Sequence, residues 1–197
     1  MNTIHILLEY DSMYHHFKGN QLSRSEAMQR MVVEKILTSP LLDDQRESSK
    51  IWELKHSSTC LQIGRILALK RGLDIELAEI ICVLHDIAVI ETGMYQDHAR
   101  KGAKIARELL RKTGGFTEAE ITIICDAIAH HSEKDQHTEE PYRELIKDAD
   151  VYDCSLYEGS ASYYKEQKPP QVSAEYFKRV QKISEELGVP VRPDFIL

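Results

Sequence analysis

The stretch IICVLHDIAVI, residues 80–90, places a histidine and an aspartate side by side in an otherwise apolar run. A helix that is apolar all round is usually buried. Burying the carboxylate of Asp86 without a partner would cost several kcal/mol. We therefore expect His85 and Asp86 to face a partner in the protein core, and a metal ion is the most economical candidate.

The composition is that of one globular domain. The chain has 197 residues, of which 42% are hydrophobic and 29% charged, so a substantial core is expected. No apolar stretch approaches the roughly 20 residues that cross a bilayer, and the N-terminus lacks the features of a secretion signal. The net charge of −7 argues against a general affinity for nucleic-acid polymers. We expect a cytoplasmic protein that binds neither membranes nor nucleic-acid polymers.

The four cysteines contain no CxxC pair, and each lies within a helical pattern. We interpret them as free thiols packed in a cytosolic interior, with zinc held by cysteine as the alternative.

Helical spacing runs through nearly the whole chain and predicts an all-α bundle. Capping boxes at Ser23 and Thr117 predict two helix starts, and Asp74 and Asp97 predict two more. The segment 159–173, which contains two prolines, is predicted to be a loop, and 189–197 to be extended. The predicted helices cover about residues 24–37, 47–70, 75–90 with His85 and Asp86 near the C-terminal end, 98–113, 118–131, 141–156 and 174–187.

Further candidate ligands lie far from residues 80–90 in the sequence. Five histidines and two aspartates follow the order H…HD…H…HH…D, and they are spread over separate predicted helices. Side chains on separate helices of a bundle can converge on one point, as in many bundle metal sites. The seven residues are His56, His85, Asp86, His98, His130, His131 and Asp148.

With this ordered set the chain resembles the HD-domain superfamily of metal-dependent phosphohydrolases. His56 matches the first histidine of the family pattern, His85 and Asp86 match the HD pair, and Asp148 matches the final aspartate. The sequence HDIA is also close to the HDIG variant of the motif. The resemblance implies a single-domain HD-type helical bundle with a metal site in its core.

The same resemblance divides the chain into three segments of one globular unit. Residues 1–50 would form a helical extension packed on the core, and residues 51–157 the HD domain. Residues 158–197 would form a loop, a C-terminal helix and a tail.

The resemblance also implies the ligands. His98 and His130 are similar to the extra ligands of HD proteins that bind two metals, such as HD-GYP phosphodiesterases and some dinucleoside polyphosphate hydrolases. Asp86 would bridge the two ions, because a carboxylate has two oxygens. Mixed nitrogen and oxygen ligands suit manganese, iron, cobalt, zinc or nickel, with magnesium also open. The first ion would take His56, His85, Asp86 and Asp148, and the second Asp86, His98 and His130.

Alternatives remain at two of these positions. Asp150 and Asp153 compete with Asp148 for the role of final aspartate. His131 could replace His130 as a ligand or bind a substrate phosphate. No GYP sequence follows these histidines, so cyclic di-GMP is not supported as the substrate.

A third ion is not expected. Some HD-GYP proteins hold one through a glutamate one helical turn before the first histidine. Trp52 occupies that position here, and Glu53 is one residue away.

The activity that the resemblance implies is hydrolysis of a phosphate ester or anhydride of a small nucleotide or related metabolite. Metal-activated hydroxide would attack phosphorus at a catalytic site formed by His85, Asp86 and Lys101. Lys101 lies one turn after His98 and is predicted to bind the phosphate, helped by the partly positive helix N-terminus. Tyr152 is predicted to line the pocket. Gly102 would let a substrate or another backbone approach closely.

Two other functions stay open. Some HD-type enzymes with the same ligand order are di-iron oxygenases, and a non-catalytic sensor or interaction module could keep a structural metal. The pattern leaves open the substrate, the metal, the number of ions and whether the chain forms a homo-oligomer.

Overall fold

The structure, a computed structural model, describes residues 16–196. The prediction of an all-α fold is confirmed, because this part of the chain forms α-helices and two short 3-10 helices at Asp43–Gln45 and Pro193–Phe195, with no strand. The α-helices are α1 (Arg24–Thr38), α2 (Lys50–Arg71), α3 (Ile75–Leu84), α4 (Ile87–Thr92), α5 (His98–Thr113), α6 (Glu118–His130), α7 (Pro141–Ser155), α8 (Ser160–Gln167) and α9 (Pro170–Leu187).

Hydrogen bonds confirm three of the predicted helix starts, while α5 begins after Asp97 without a side-chain cap. Ser23 and Thr117 each accept from the backbone N–H three residues on, and the glutamate at that position bonds back in a capping box. The Asp74 carboxylate accepts from the N–H of Leu77 at 2.9 Å. Gly72 ends α2 in the left-handed conformation, with φ of 65°, which glycine adopts without strain.

The helices that carry the candidate ligands pack against one another. Helix α2 lies against α3 and α7, while α5 lies against α4 and α6. Their apolar side chains form one core, in which Leu67, Ile80, Leu84 and Ile128 are fully buried. This core fixes the mutual positions of the helices, and therefore of the polar residues that face its centre.

Residues 80–90 do not form the single helix that we predicted. Helix α3 ends at Leu84, α4 begins at Ile87, and Asp86 has the non-helical angles φ −101° and ψ 21°. The His85 Nδ1 atom bonds the Cys82 carbonyl oxygen at 2.7 Å, which satisfies one of the carbonyls left free at a helix end. At this break the backbone leaves the path of α3, so Asp86 does not continue that helix.

Gly102 lies against this break. A Cβ atom at this position would lie 3.3 Å from the carbonyl oxygen of His85. The close approach that we expected at Gly102 is therefore made by another backbone, and it packs α5 against the HD pair.

The predicted loop at 159–173 is wrong. It contains α8, and α9 begins at Pro170 rather than at Ala174. Proline lacks an N–H and has a fixed φ, so it suits the first helical position, where that N–H would have no partner. The predicted extended end contains the 3-10 helix Pro193–Phe195.

The three-segment division stays a prediction. Residues 1–15 lie outside the described part of the chain, while α1 packs on α3 within the described part. Among residues 16–196, no helix is both long enough and apolar enough to cross a membrane.

Candidate metal centre

Six side chains from several helices converge between α2, α3, α5, α6 and α7. His85 and Asp86 lie at the break after α3, and the others lie on or at the ends of their helices. Groups of three within the set have ligand atoms within 4.8 Å of one another, close enough for one metal ion. We call this set the polar cluster: His56, His85, Asp86, His98, His131 and Asp150.

Each of the four imidazoles is held by its Nδ1 atom. The Nδ1 atoms of His85, His98 and His131 bond the carbonyl oxygens of Cys82, Tyr95 and Ile128 at 2.7–2.8 Å. A carbonyl only accepts, so each Nδ1 carries the hydrogen, and a neutral ring then presents a bare Nε2 lone pair. This arrangement is typical of metal-ligating histidines.

The Nε2 atoms point at one another in pairs. His56 Nε2 lies 3.1 Å from His85 Nε2, and His98 Nε2 lies 3.0 Å from His131 Nε2. Two bare lone pairs at this distance repel unless a proton or a cation lies between them. The donor set therefore fits a divalent transition metal, which prefers imidazole nitrogen together with carboxylate oxygen.

Asp86 lies between the two imidazole pairs. Its Oδ2 atom is 3.7 Å from His56 Nε2 and 3.3 Å from His85 Nε2. Its Oδ1 atom is 3.4 Å from the Nε2 atoms of both His98 and His131. One carboxylate thus offers one oxygen to each pair, which is the geometry that a bridging ligand requires.

The charges within the cluster depend on one another. Burial alone would raise the pKa of Asp86, but the neighbouring imidazoles, His85 above all, lower it well below its usual range. Burial likewise opposes the charged form of His85, but the Asp86 carboxylate raises the pKa of this imidazole well above its usual value. For His131 burial prevails and lowers the pKa to about 4, so this ring is neutral and ready to bind a metal at neutral pH.

Three buried side-chain oxygens have no hydrogen-bond partner among residues 16–196. They are Glu53 Oε2, Asp86 Oδ1 and Asp153 Oδ1, and all three belong to the cluster or border it. A buried carboxylate oxygen without a partner is costly, and a bound cation removes that cost.

Asp150 is held by a buried lysine. The Lys134 side chain is 4% exposed, and its ammonium bonds both the Asp150 carboxylate and the His131 carbonyl oxygen. Burial alone would raise the pKa of Asp150, but Lys134 and the neighbouring imidazoles lower it. Lys134 therefore links two cluster residues and keeps Asp150 ionised.

Asp153 orients His56. Its Oδ2 atom lies 2.5 Å from His56 Nδ1, which directs Nε2 toward the cluster. Burial alone would lower the pKa of His56, but the hydrogen bond to Asp153 raises it. A carboxylate behind a ligating imidazole fixes the ring and increases its basicity.

Glu53 is buried beside the cluster. Its Oε1 atom accepts from the Ser48 hydroxyl and from the Tyr95 hydroxyl, the latter at 3.5 Å. Burial and the charge of Asp86 raise the pKa of this carboxyl group. Glu53 is one residue from Trp52, which occupies the position where a third-ion ligand would be expected. Glu53 belongs to none of the ligand groups that could hold an ion.

Two predicted ligands lie outside the cluster. His130 Nδ1 bonds the Asp126 carbonyl oxygen at 2.9 Å, outside the cluster. His131 lies in the cluster, where we had expected His130. Asp148 accepts hydrogen bonds from Arg179 at 2.7 Å and from Arg71 at 2.8 Å, so two guanidinium groups already balance the charge of its carboxylate. Asp150, one of the two competing aspartates, lies in the cluster.

Helical periodicity carried a signal that could have identified His131, and in α7 it separates Asp150 from Asp148 without indicating which of the two faces meets the cluster. His131 follows Ile124 and Ile128 on the buried stripe of α6 at helical spacing, whereas His130 does not. Asp150, Asp153 and Cys154 are spaced three and four residues apart and share one face of α7, while Asp148 lies on the other.

The predicted substrate contacts remain predictions. The Lys101 ammonium is exposed and donates to the Gln96 carbonyl oxygen at 2.8 Å. Tyr152 is buried in the apolar core.

A cavity of about 270 Å³ reaches the cluster at His98. Its lining comes from the start of α5 and the end of α6: Tyr95, Asp97, His98, Ala99, Arg100, Ala129, Ser132 and Glu133. A larger cavity of about 590 Å³ between α1 and α2, lined in part by Arg30, Ser57 and Leu61, contains none of the cluster residues. The smaller cavity is therefore the candidate substrate entrance.

Comparison with known proteins gives one match. Residues 54–155 match the model of a protein family described as HD domain. The match begins in α2 and ends with α7, so it contains every residue of the polar cluster. Comparisons with curated proteins and with solved structures gave no match.

Proposed function

Because the match at residues 54–155 covers more than half of the chain, this protein belongs to the HD domain family of metal-dependent hydrolases, and we propose that it hydrolyses a phosphate ester or anhydride of a small nucleotide or related metabolite. The observation that carries the proposal is the convergence of four imidazole Nε2 atoms on the two oxygens of Asp86. That arrangement suits a hydrolytic site with one or two divalent ions.

The residues divide between two ion positions that share Asp86. His56, His85 and Asp150 would complete the first, and His98 with His131 the second. Divalent ions held there would lower the pKa of a bound water and polarise a phosphoryl oxygen. Manganese, iron, cobalt, zinc and nickel all suit this donor set.

Substrate would enter through the cavity at His98. Its volume is slightly below the roughly 300–1,000 Å³ of most small-molecule sites, so it suits the phosphoryl end of a small metabolite. The N-terminus of α5 lines it, and Asp97 makes no side-chain capping bond there. The first turn of α5 therefore has no carboxylate cap. The His98 N–H donates to the Tyr95 carbonyl oxygen at 3.2 Å, and the remaining N–H groups of this turn favour an anion.

Arg100 is the cation that we assign to the substrate phosphate. It lines the cavity, whereas Lys101 does not. The acidic side chains of Asp97 and Glu133 line the same cavity, so its own charge does not attract anions strongly. Substrate binding should therefore depend on the metal ions as well as on Arg100.

The test begins with metal analysis of the purified protein. The metal-loaded protein is then assayed with phosphomonoesters, phosphodiesters and nucleoside polyphosphates, using manganese, iron, cobalt, zinc and magnesium in turn. We expect turnover of at least one class and a loss of about 1,000-fold or more in Asp86→Asn, because the shared ligand is removed. Full activity in Asp86→Asn, or no turnover on any substrate, would contradict the proposal. Oxygen uptake by the iron-loaded protein in place of hydrolysis would favour an oxygenase instead.

Arg100 and Lys101 form a matched pair for the substrate assignment. On the best substrate, Arg100→Gln should raise KM about tenfold, the loss of one charge-assisted hydrogen bond, and Lys101→Gln should leave KM nearly unchanged. The reverse result would return the phosphate contact to Lys101.

A further inference from the structure

Cys154 adds a sulfur atom to one end of the polar cluster. Its Sγ atom lies 3.7 Å from Asp150 Oδ1, and His56 Nε2 lies 3.5 Å from the same oxygen. Ligand atoms of these three residues all lie within 4.8 Å of one another. We propose that His56, Asp150 and Cys154 form a separate position for a thiophilic divalent ion, with the Cys154 sulfur as a ligand.

The distances match the edges of a tetrahedron around such an ion. Zinc lies about 2.3 Å from cysteine sulfur and about 2.0–2.2 Å from histidine nitrogen and carboxylate oxygen. A tetrahedral angle then gives edges of about 3.6 Å between sulfur and oxygen and about 3.4 Å between nitrogen and oxygen. The observed 3.7 Å and 3.5 Å differ from these values by only about 0.1 Å.

The surroundings also favour an ion here. Asp153, next to Cys154, is fully buried and has an Oδ1 atom without a hydrogen-bond partner in the described chain. Burial and the charge of Asp150 raise the pKa of the Cys154 thiol well above its usual value. A bound metal ion would displace the thiol proton, because the thiolate is the form that binds metal.

An ion bound at the Cys154 position would prevent the first hydrolytic ion from binding, because both need His56. His56 Nδ1 is bonded to Asp153, so only Nε2 is free, and an imidazole nitrogen binds one ion at a time. An ion bound to Cys154 would use His56 and Asp150, and it would leave Asp86 to the other imidazoles. Oxygen-preferring ions such as manganese would take the Asp86 position, and zinc or cadmium the Cys154 position.

Cobalt titration of the metal-free full chain under anaerobic, thiol-free conditions tests this assignment. A thiolate ligand gives Co²⁺ an intense near-ultraviolet charge-transfer band, which nitrogen and oxygen ligands do not give. We expect the band in the wild type and in Cys125→Ser, a buried cysteine on α6, and we expect it to be absent in Cys154→Ser. No band in the wild type, or a band that persists in Cys154→Ser, would overturn the assignment.

Ion selectivity gives a second measurement. In Cys154→Ser the affinity for Zn²⁺ should fall at least tenfold, while the affinity for Mn²⁺ should stay within about twofold. Equal changes for both ions would overturn the proposal. Cys154→Ala provides a second variant, and thermal unfolding of the metal-free proteins identifies any variant that fails to fold. The inference needs the polar cluster but not phosphate hydrolysis, so the charge-transfer band and substrate turnover can fail independently.

Discussion

Helix α7 carries two buried charged regions on opposite faces, and they are completed in different ways. One face contributes Asp150 to the polar cluster and Asp153, which bonds His56, beside it. The other contributes Glu144, Lys147 and Asp148 to an ion-pair network with Arg179 of α9 and Arg71 of α2. We call this second set the ion-pair network.

In the ion-pair network every carboxylate has a cation. Arg179 is 2% exposed and bonds Asp148 at 2.7 Å and Glu144 at 2.8 Å, while its Nε atom donates to the Lys134 carbonyl oxygen. The buried side-chain oxygens without a partner in residues 16–196 belong instead to Asp86 of the polar cluster and to Glu53 and Asp153, which border it. The comparison shows that guanidinium groups balance the carboxylates on one face, whereas the other face borders buried carboxylate oxygens that have no partner within residues 16–196.

The largest effect should come from breaking the ion-pair network. Arg179→Met leaves the buried Asp148 with Arg71 at 2.8 Å and the exposed Lys182 at 3.6 Å, and we expect a loss of about 3–5 kcal/mol in the free energy of unfolding. Lys178→Met is the matched control, because Lys178 is 59% exposed and its pair with Glu175 should contribute less than about 1 kcal/mol. Denaturant unfolding of the metal-free proteins measures both. Equal losses in the two variants would mean that the network adds no more stability than a surface ion pair.

The second-largest effect should be a difference in metal affinity between variants on the two faces of α7. Asp150→Asn removes a cluster carboxylate, so the affinity for Co²⁺ or Mn²⁺ should fall by more than about 100-fold, beyond the range for residues that only orient a ligand. Asp148→Asn should change that affinity by less than about twofold, because its partners are arginines. Calorimetric titration of both variants tests the comparison. A larger loss in Asp148→Asn would restore the original assignment of the final aspartate.

The fold and the centre of the site could be predicted because they depend on local patterns. Capping boxes, helical spacing and the buried His85 and Asp86 depend on residues close in sequence. The choice between Asp148 and Asp150 does not depend on residues close in sequence. It depends on which face of α7 meets Arg179 of α9, a contact that spans about thirty residues and that no local pattern specifies.

The break after Leu84 was missed for a related reason. The residues around His85 are apolar and contain neither glycine nor proline, so propensity favours a continuous helix. Asp86 adopts φ −101° and ψ 21°, a conformation that a straight helix would not provide, whereas His85 keeps helical angles. Tertiary contacts therefore override a local preference at the position where the candidate ligands converge.

The smallest effect concerns the contact between Asp153 and His56. Asp153→Asn should lower the affinity for Mn²⁺ about tenfold at about pH 8, because His56 loses the carboxylate that orients it. Calorimetric titration measures it, with the exposed Asp135→Asn as the control. An unchanged affinity at about pH 8 would contradict the orienting role.

The pH dependence of that loss distinguishes electrostatics from simple orientation. Burial alone would lower the pKa of His56, and Asp153 raises it, so in the wild type a metal ion must displace a proton from His56 as the pH falls. Without Asp153, burial lowers the pKa, and less of the imidazole is protonated at any given pH. Acidification should therefore weaken metal binding more in the wild type than in Asp153→Asn, and the difference between them should shrink from about pH 8 to about pH 6. A constant ratio over this range would mean that Asp153 orients the ring without changing its charge, which would make it resemble the carbonyl partners of the other three imidazoles.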